Sequence, residues 1–174
     1  MSKSIDLEQH ILKIPDFPKP GILFYDISTL IGCAEAWAET IRRLKTIIQA
    51  YNPDIVAGVE SRGFLVAAPL SIQLNIGMQM IRKKGKLPGA IVSHTYDLEY
   101  GQDTLEVQHN EEITGKRVVV VDDILATGGT LAAASSLMSS LGAHMVGSAC
   151  IIELSFLKGQ MRLAAPFHSL VKIE

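Results

Sequence analysis

A chain of 174 residues with 48% hydrophobic content can bury a full core as one domain, and no charged or Ser/Pro/Gly-rich run separates two parts. Its net charge of -2 argues against a broadly basic nucleic-acid surface, while leaving room for a local basic cluster. Met1 to Ile14 holds no continuous apolar segment of signal or membrane length, and Cys33 and Cys150 fit neither a CxxC motif nor a disulfide framework, so the expectation is a cytoplasmic protein with reduced thiols and no membrane partner.

In chain order, residues 16 to 30 combine stiff prolines with apolar residues and read as a fixed loop suited to covering a flat aromatic ligand. Glu35 to Tyr51 carries Trp37, Ile41, Leu44, Ile47 and Ile48 at helical spacing, which predicts an amphipathic helix. Ile55 to Val59 reads as a short strand. It hands over through Glu60-Ser61-Arg62-Gly63 to an apolar helix from Phe64 to Asn75, stopped by Gly77. Met78 to Ile81 predicts another strand, followed by the densest positive run, Arg82, Lys83, Lys84 and Lys86. Such runs are usually solvated; directly after a strand, this one suits a polyanion. Ile91 to Tyr96 and Thr104 to Gln108 alternate with period two around residues 97 to 103, as a projecting hairpin would.

Residues 118 to 130 carry the most chemistry. Four consecutive valines predict a strand covered on both faces, with a ligand at its carboxyl end. Asp122 and Asp123 follow; they can accept from vicinal ribose hydroxyls or hold a hydrated magnesium ion. Ala126, Thr127, Gly128, Gly129 and Thr130 then turn into a helix over Leu131 to Leu141 that ends at Gly142. A glycine-rich turn before a helix N-terminus presents amides to a phosphate, and two threonine hydroxyls add donors. A last strand is predicted over His144 to Ile152. Strands alternating with helices imply a parallel sheet flanked by helices. Neither the triphosphatase nor the dinucleotide glycine motif is present, and His10, His94, His109, His144 and His168 lack ligand spacing.

The segment from Val118 to Thr130 closely resembles the phosphoribosyl pyrophosphate (PRPP) signature of the type I phosphoribosyltransferases. Together with residues 16 to 30, Glu60-Ser61-Arg62-Gly63-Phe64, residues 82 to 89, Tyr96-Asp97-Leu98-Glu99-Tyr100-Gly101 and residues 153 to 159, it matches the adenine-specific family in order and spacing over nearly the whole chain. The resemblance implies a single domain over 1–174, with a hood from about 14–30 and 153–165 over the base site and a catalytic loop at about 90–109. It implies transfer of the phosphoribosyl group from PRPP to adenine, giving AMP and pyrophosphate, with Mg2+, in a homodimer. Carried over by position, Asp122, Asp123 and Ala126 to Thr130 serve the ribose and 5′-phosphate, with any metal contact of the two acids indirect. Glu60, Ser61, Arg62, Arg82, Lys83, Lys86 and Tyr100 serve the pyrophosphate, some of them across the dimer interface. Leu23, Phe24, Arg62 and Leu154 line the adenine site, and Glu99, with Arg62, is the catalytic candidate. Relatives often hold a cis peptide at Glu60-Ser61, and Tyr25 stands where family members often carry arginine. Two rival readings are a PRPP-sensing regulator, which generally needs a nucleic-acid-binding element, and a xanthine, hypoxanthine or orotate phosphoribosyltransferase.

Overall fold

The computed structural model describes residues 5–97 and 101–174. Within the expected single domain the chain forms two compact units, residues 1–43 and 44–174, whose boundary falls inside a long helix. In the first unit, strands β1 (Leu12–Pro15) and β2 (Leu23–Asp26) pair antiparallel, and a short helix α1 (Ser28–Gly32) follows. Residues 16 to 30 are therefore not simply a loop: only the stretch between the strands is irregular, with a cis Phe17–Pro18 peptide and Phe17 edge-on to Phe24 at 5.1 Å between ring centres. Helix α2 (Ala34–Gln49) matches the predicted amphipathic segment, with Ile41, Leu44 and Ile48 buried.

The second unit is built on a seven-stranded sheet. Its members are β3 (Ile55–Val59), β4 (Gly77–Lys83), β5 (Ile91–Asp97), β6 (Gln102–Gln108), β7 (Arg117–Leu125), β8 (His144–Leu154) and β9 (Phe167–Ile173), in the order β5-β6-β4-β3-β7-β8-β9. The run β4-β3-β7-β8-β9 is parallel, and the β5-β6 hairpin joins antiparallel at β4. Strand β9 was not read from the sequence.

The four valines behave as a doubly covered strand requires. Val118 and Val120 join Leu131, Leu137 and Met138 of helix α4 (Gly129–Ser140) in one cluster. Val119 and Val121, equally buried, alternate to the other face, where helix α3 (Arg62–Leu74) lies against β3 and β7. Each such side chain removed from water contributes about 1.5–3 kcal/mol. Glycine lets α3 come this close: a Cβ on Gly58 would stand 2.7 Å from the Ala67 Cβ, and one on Gly63 would stand 2.9 Å from the Val121 carbonyl oxygen. The helix stop differs from expectation. Asn75, not Gly77, takes the left-handed conformation at φ 54°, and Gly77 opens β4.

Candidate active site

The strands β3 and β7 lie side by side, so their carboxyl ends deliver Glu60-Ser61-Arg62 and Asp122-Asp123 to one place. A cleft of about 340 Å³ opens there, lined by Glu60, Ser61, Arg62, Lys83 and the continuous run Asp122 to Leu131. Asp122 and Asp123 do not merely follow the strand. They are the buried sixth and seventh residues of β7, which runs on to Leu125, so Ile124 and Leu125 line the cleft as well. The reason is the neighbouring strand: β8 pairs with Asp122, Ile124 and Leu125, and continuing the strand satisfies backbone groups that a turn at this depth would leave unpaired.

The two acids differ in environment. Asp122 Oδ1 accepts from the Asp123 amide at 2.9 Å, and burial together with the Asp123 charge pushes the Asp122 carboxyl well above the usual range. Asp123 Oδ2 accepts from the Arg62 Nε–H in a close ion pair. Arg62, expected at the base and pyrophosphate, is thus held against the ribose-binding candidates in this structure. Opposite Asp122 in β8 lies Cys150, whose thiol burial and the two aspartates push far up, keeping it protonated.

At the β3 end, Glu60 gathers the basic run. Its Oε1 accepts from Lys86 Nζ at 2.7 Å, and its Oε2 accepts from the Lys83 amide at 2.9 Å and from Arg82 Nε at 3.3 Å. Burial opposes ionisation, yet the hydrogen bonds from Lys86, the Lys83 amide and Arg82 outweigh it and hold the Glu60 pKa at about 2. The Glu60–Ser61 peptide is cis. Lys83 lines the cleft while its ammonium donates to Asp103 Oδ2; burial is the largest single influence and lowers its proton affinity, but Asp103 and Tyr96 together outweigh it, and the net shift is upward.

Beyond β7 the chain enters α4 through Gly128, which occupies the helix cap at φ 82° without any side-chain cap. The first-turn amides are therefore left without a side-chain acceptor at the cleft, a favourable setting for an anion. Sequence reasoning missed Tyr96 and Asp103. They are cross-strand partners in the hairpin, and the Tyr96 hydroxyl lies 3.3 Å from both Asp103 Oδ2 and Thr130 Oγ1. The period-two pattern of the hairpin would have paired them; their reach to Thr130 needed the fold.

The other predicted residues lie on separate elements. Leu23, 45% exposed, and Phe24 lie in β2 of the first unit, and Leu154 is buried at the end of β8. Tyr25 is buried in β2 opposite Lys13, and that lysine pairs with Glu8 at 2.9 Å. Leu98, Glu99 and Tyr100 lie outside the described residues. Glu153, whose motif contributed to the resemblance, ties strands together: its carboxylate accepts from Ser169 Oγ at 2.7 Å and faces Lys172 at 3.7 Å.

Comparison with known proteins agrees with this architecture. A family model described as phosphoribosyl transferase domain matches residues 29–168. Adenine phosphoribosyltransferase of Rhodospirillum rubrum is 59% identical over 96% of this chain and 98% of its own length. The crystal structure of adenine phosphoribosyltransferase from Thermoanaerobacter pseudethanolicus superposes with a TM-score of 0.92 at 41% identity, covering 96% of this chain and 98% of that one. The Saccharomyces cerevisiae enzyme, complexed with D-2,5-dideoxy-2,5-imino-altritol 1,6-bisphosphate and adenine, gives a TM-score of 0.90 at 39% identity, covering 94% and 96%. A strand-end acid pair, a glycine turn into a helix and near-complete coverage by such relatives lead to one assignment: the chain belongs to the phosphoribosyltransferase family, in its adenine phosphoribosyltransferase branch.

Proposed function

We propose that the protein transfers the 5-phosphoribosyl group of PRPP to adenine, giving AMP and pyrophosphate in purine salvage. The observation that carries this reading is the convergence, in one cleft, of the β7 acid pair, the Ala126–Thr130 turn and Glu60–Arg62. Adenine as the acceptor is supported by family membership and by its presence in the S. cerevisiae relative.

The 5′-phosphate belongs in the turn, where the amides of Gly128 to Thr130 and the hydroxyls of Thr127 and Thr130 supply donors. The ribose hydroxyls meet Asp122 and Asp123. Pyrophosphate takes the basic end, served by Ser61, Arg82, Lys83 and Lys86, with Tyr100 keeping the role that the resemblance implies. Glu60 repels pyrophosphate directly; its part is to hold Arg82 and Lys86 in place. In the reaction the C1–oxygen bond breaks with its electron pair leaving on pyrophosphate, and adenine N9 forms the new bond to C1. The N9 proton passes to Glu99. As C1 becomes oxocarbenium-like, the Asp123 carboxylate stabilises the positive charge and the cations stabilise the leaving group.

Magnesium, when bound, neutralises charge on the pyrophosphate oxygens. Among the described residues no group of three or more His, Cys, Asp or Glu could hold a metal, Asp122 favours its proton, and Asp123 is engaged by Arg62. Asp122 and Asp123 would accordingly hold such an ion only indirectly, through substrate hydroxyls or water. Leu23, Phe24 and Leu154 are assigned to the adenine site, with residues 14–30 and 153–165 as its hood. A homodimer is supported by exposed Leu65 and Ile72 on α3 and Met80 on β4. Cytoplasmic residence is supported by free Cys33 and Cys150, and no helix among the described residues is long and apolar enough to cross a membrane.

The test is incubation with PRPP and, in turn, adenine, hypoxanthine, xanthine and orotate. AMP from adenine is expected. Efficient product from a 6-oxo base would overturn the base assignment, and PRPP binding without turnover of any base would make the protein a sensor.

A further inference from the structure

Segment Ser155–Arg162 lies directly against the Ala126–Thr130 turn. It consists of two short 3-10 turns, Ser155–Leu157 and Gly159–Arg162, joined at Lys158, whose φ is 53°. Between them the backbone of buried Gly159 touches the other turn with no side chain intervening. A Cβ on Gly159 would run into the Ala126 carbonyl oxygen and stand 2.8 Å from the Gly128 nitrogen and 2.9 Å from the Thr127 carbonyl carbon. The contact is reciprocal: a Cβ on Gly128 would overlap the Gly159 carbonyl oxygen and stand 2.9 Å from its carbon. The Gly128 Cβ direction thus points at Gly159, so the bare α-carbon of Gly128 accommodates this backbone contact.

We propose that Gly159 is a positioning residue for the 5′-phosphate: its bare backbone sets the curvature of Ala126–Gly128 and hence the directions of the amides that meet the phosphate. The proposal deepens the PRPP reading of the turn and rests on it. A hydrogen bond weakens steeply as its angle closes, so an anion held by several amides at once is sensitive to the shape of the turn that carries them. Here the atoms nearest to an added Cβ on either glycine are all backbone, which leaves no soft side chain to absorb a methyl group. Gly159 never touches substrate. Its effect passes through three residues that line the cleft.

The experiment compares the full-length wild-type protein with Gly159→Ala by calorimetry, using ribose 5-phosphate, which carries the 5′-phosphate, and pyrophosphate, which does not. Affinity for ribose 5-phosphate should fall by about 10- to 10²-fold, the range expected when a binding group is displaced by a fraction of an ångström to an ångström, with pyrophosphate binding unchanged. Unchanged ribose 5-phosphate affinity in a folded Gly159→Ala protein overturns the proposal. Equal weakening of both ligands also overturns it, because it reports general loosening of the cleft. If the wild type itself ignores ribose 5-phosphate, the PRPP reading fails before Gly159 is at issue. Should Gly159→Ala not fold, hydrogen exchange on the wild type decides: ribose 5-phosphate should slow exchange in peptides covering both 126–131 and 155–162. Slowing confined to 126–131 sinks the idea.

Discussion

Asp122 and Asp123 are neighbours on one strand, yet period two turns them to opposite sides, one to a neutral fate and one to an ion pair. Two buried carboxylates this close cannot both ionise cheaply, and burial with the Asp123 charge pushes the Asp122 carboxyl well above the usual range. Asp123→Asn removes the ion pair with Arg62. Charge-assisted hydrogen bonds are worth about 1.5–3 kcal/mol, so PRPP affinity measured by calorimetry should fall roughly tenfold to 10²-fold. Unaltered affinity would remove Asp123 from the ribose site. Glu60 yields a pH prediction. Its folded pKa of about 2 lies below the ordinary value, so it contributes stability above pH about 4.3 that is lost as pH falls toward 2. The thermal midpoint of the wild type should exceed that of Glu60→Gln near pH 6, and the gap should close near pH 2 to 3. A gap of constant size would mean that the charge of Glu60 does not hold the basic run together.

At the scale of elements, α3 is pressed against β7 at its first turn, and the magnitudes compete. In a free helix Gly63→Ala would gain about 0.8–1.0 kcal/mol. In this helix the methyl would lie 2.9 Å from the Val121 carbonyl oxygen and 3.0 Å from Asp122 Oδ1, and overpacking costs about 1–3 kcal/mol. A lowered thermal midpoint is expected; a raised one would show that the helix can slide away without penalty. This crowding was illegible in the sequence, where Gly63 is one glycine in a polar turn. What was legible came from local pattern: the valine run, the glycine turn into α4, the hairpin alternation and the α2 stripe all fold as their periodicity implies. Local pattern failed where an element is short or its cue is shared. Strand β2, four residues inside the proline-bearing stretch, looked like loop, β1, equally short, was not read, and β9 hides its inward Phe167, Val171 and Ile173 among His168 and Lys172. Contacts such as Gly128 with Gly159, or Tyr96 with Thr130, join distant segments and could not be read from either one alone.

The whole molecule must also account for an apolar face that its own core leaves uncovered. Helix α3 buries Gly63, Val66, Ala67 and Leu70, yet its other side carries Leu65 at 47% and Ile72 at 81% exposure, two turns apart on one stripe, with Met80 of β4 also exposed. A helix apolar on both sides is expected where both sides are covered, and contiguous exposed apolar surface marks an association site. A second copy of the chain is the occupant proposed here, in line with the homodimer that the resemblance implied. Two charges placed on this face should therefore break the assembly without touching the core, since exposed substitutions usually change stability by no more than about 0.5 kcal/mol. Sedimentation of the wild type should give two chains per particle, and the Leu65→Glu/Ile72→Glu protein should sediment as one chain with an unchanged circular dichroism spectrum. If Arg82 and Lys86 act across that interface, the separated chain should also show a raised KM for PRPP. A wild type that sediments as one chain, or a double variant that stays paired, would remove α3 as the interface.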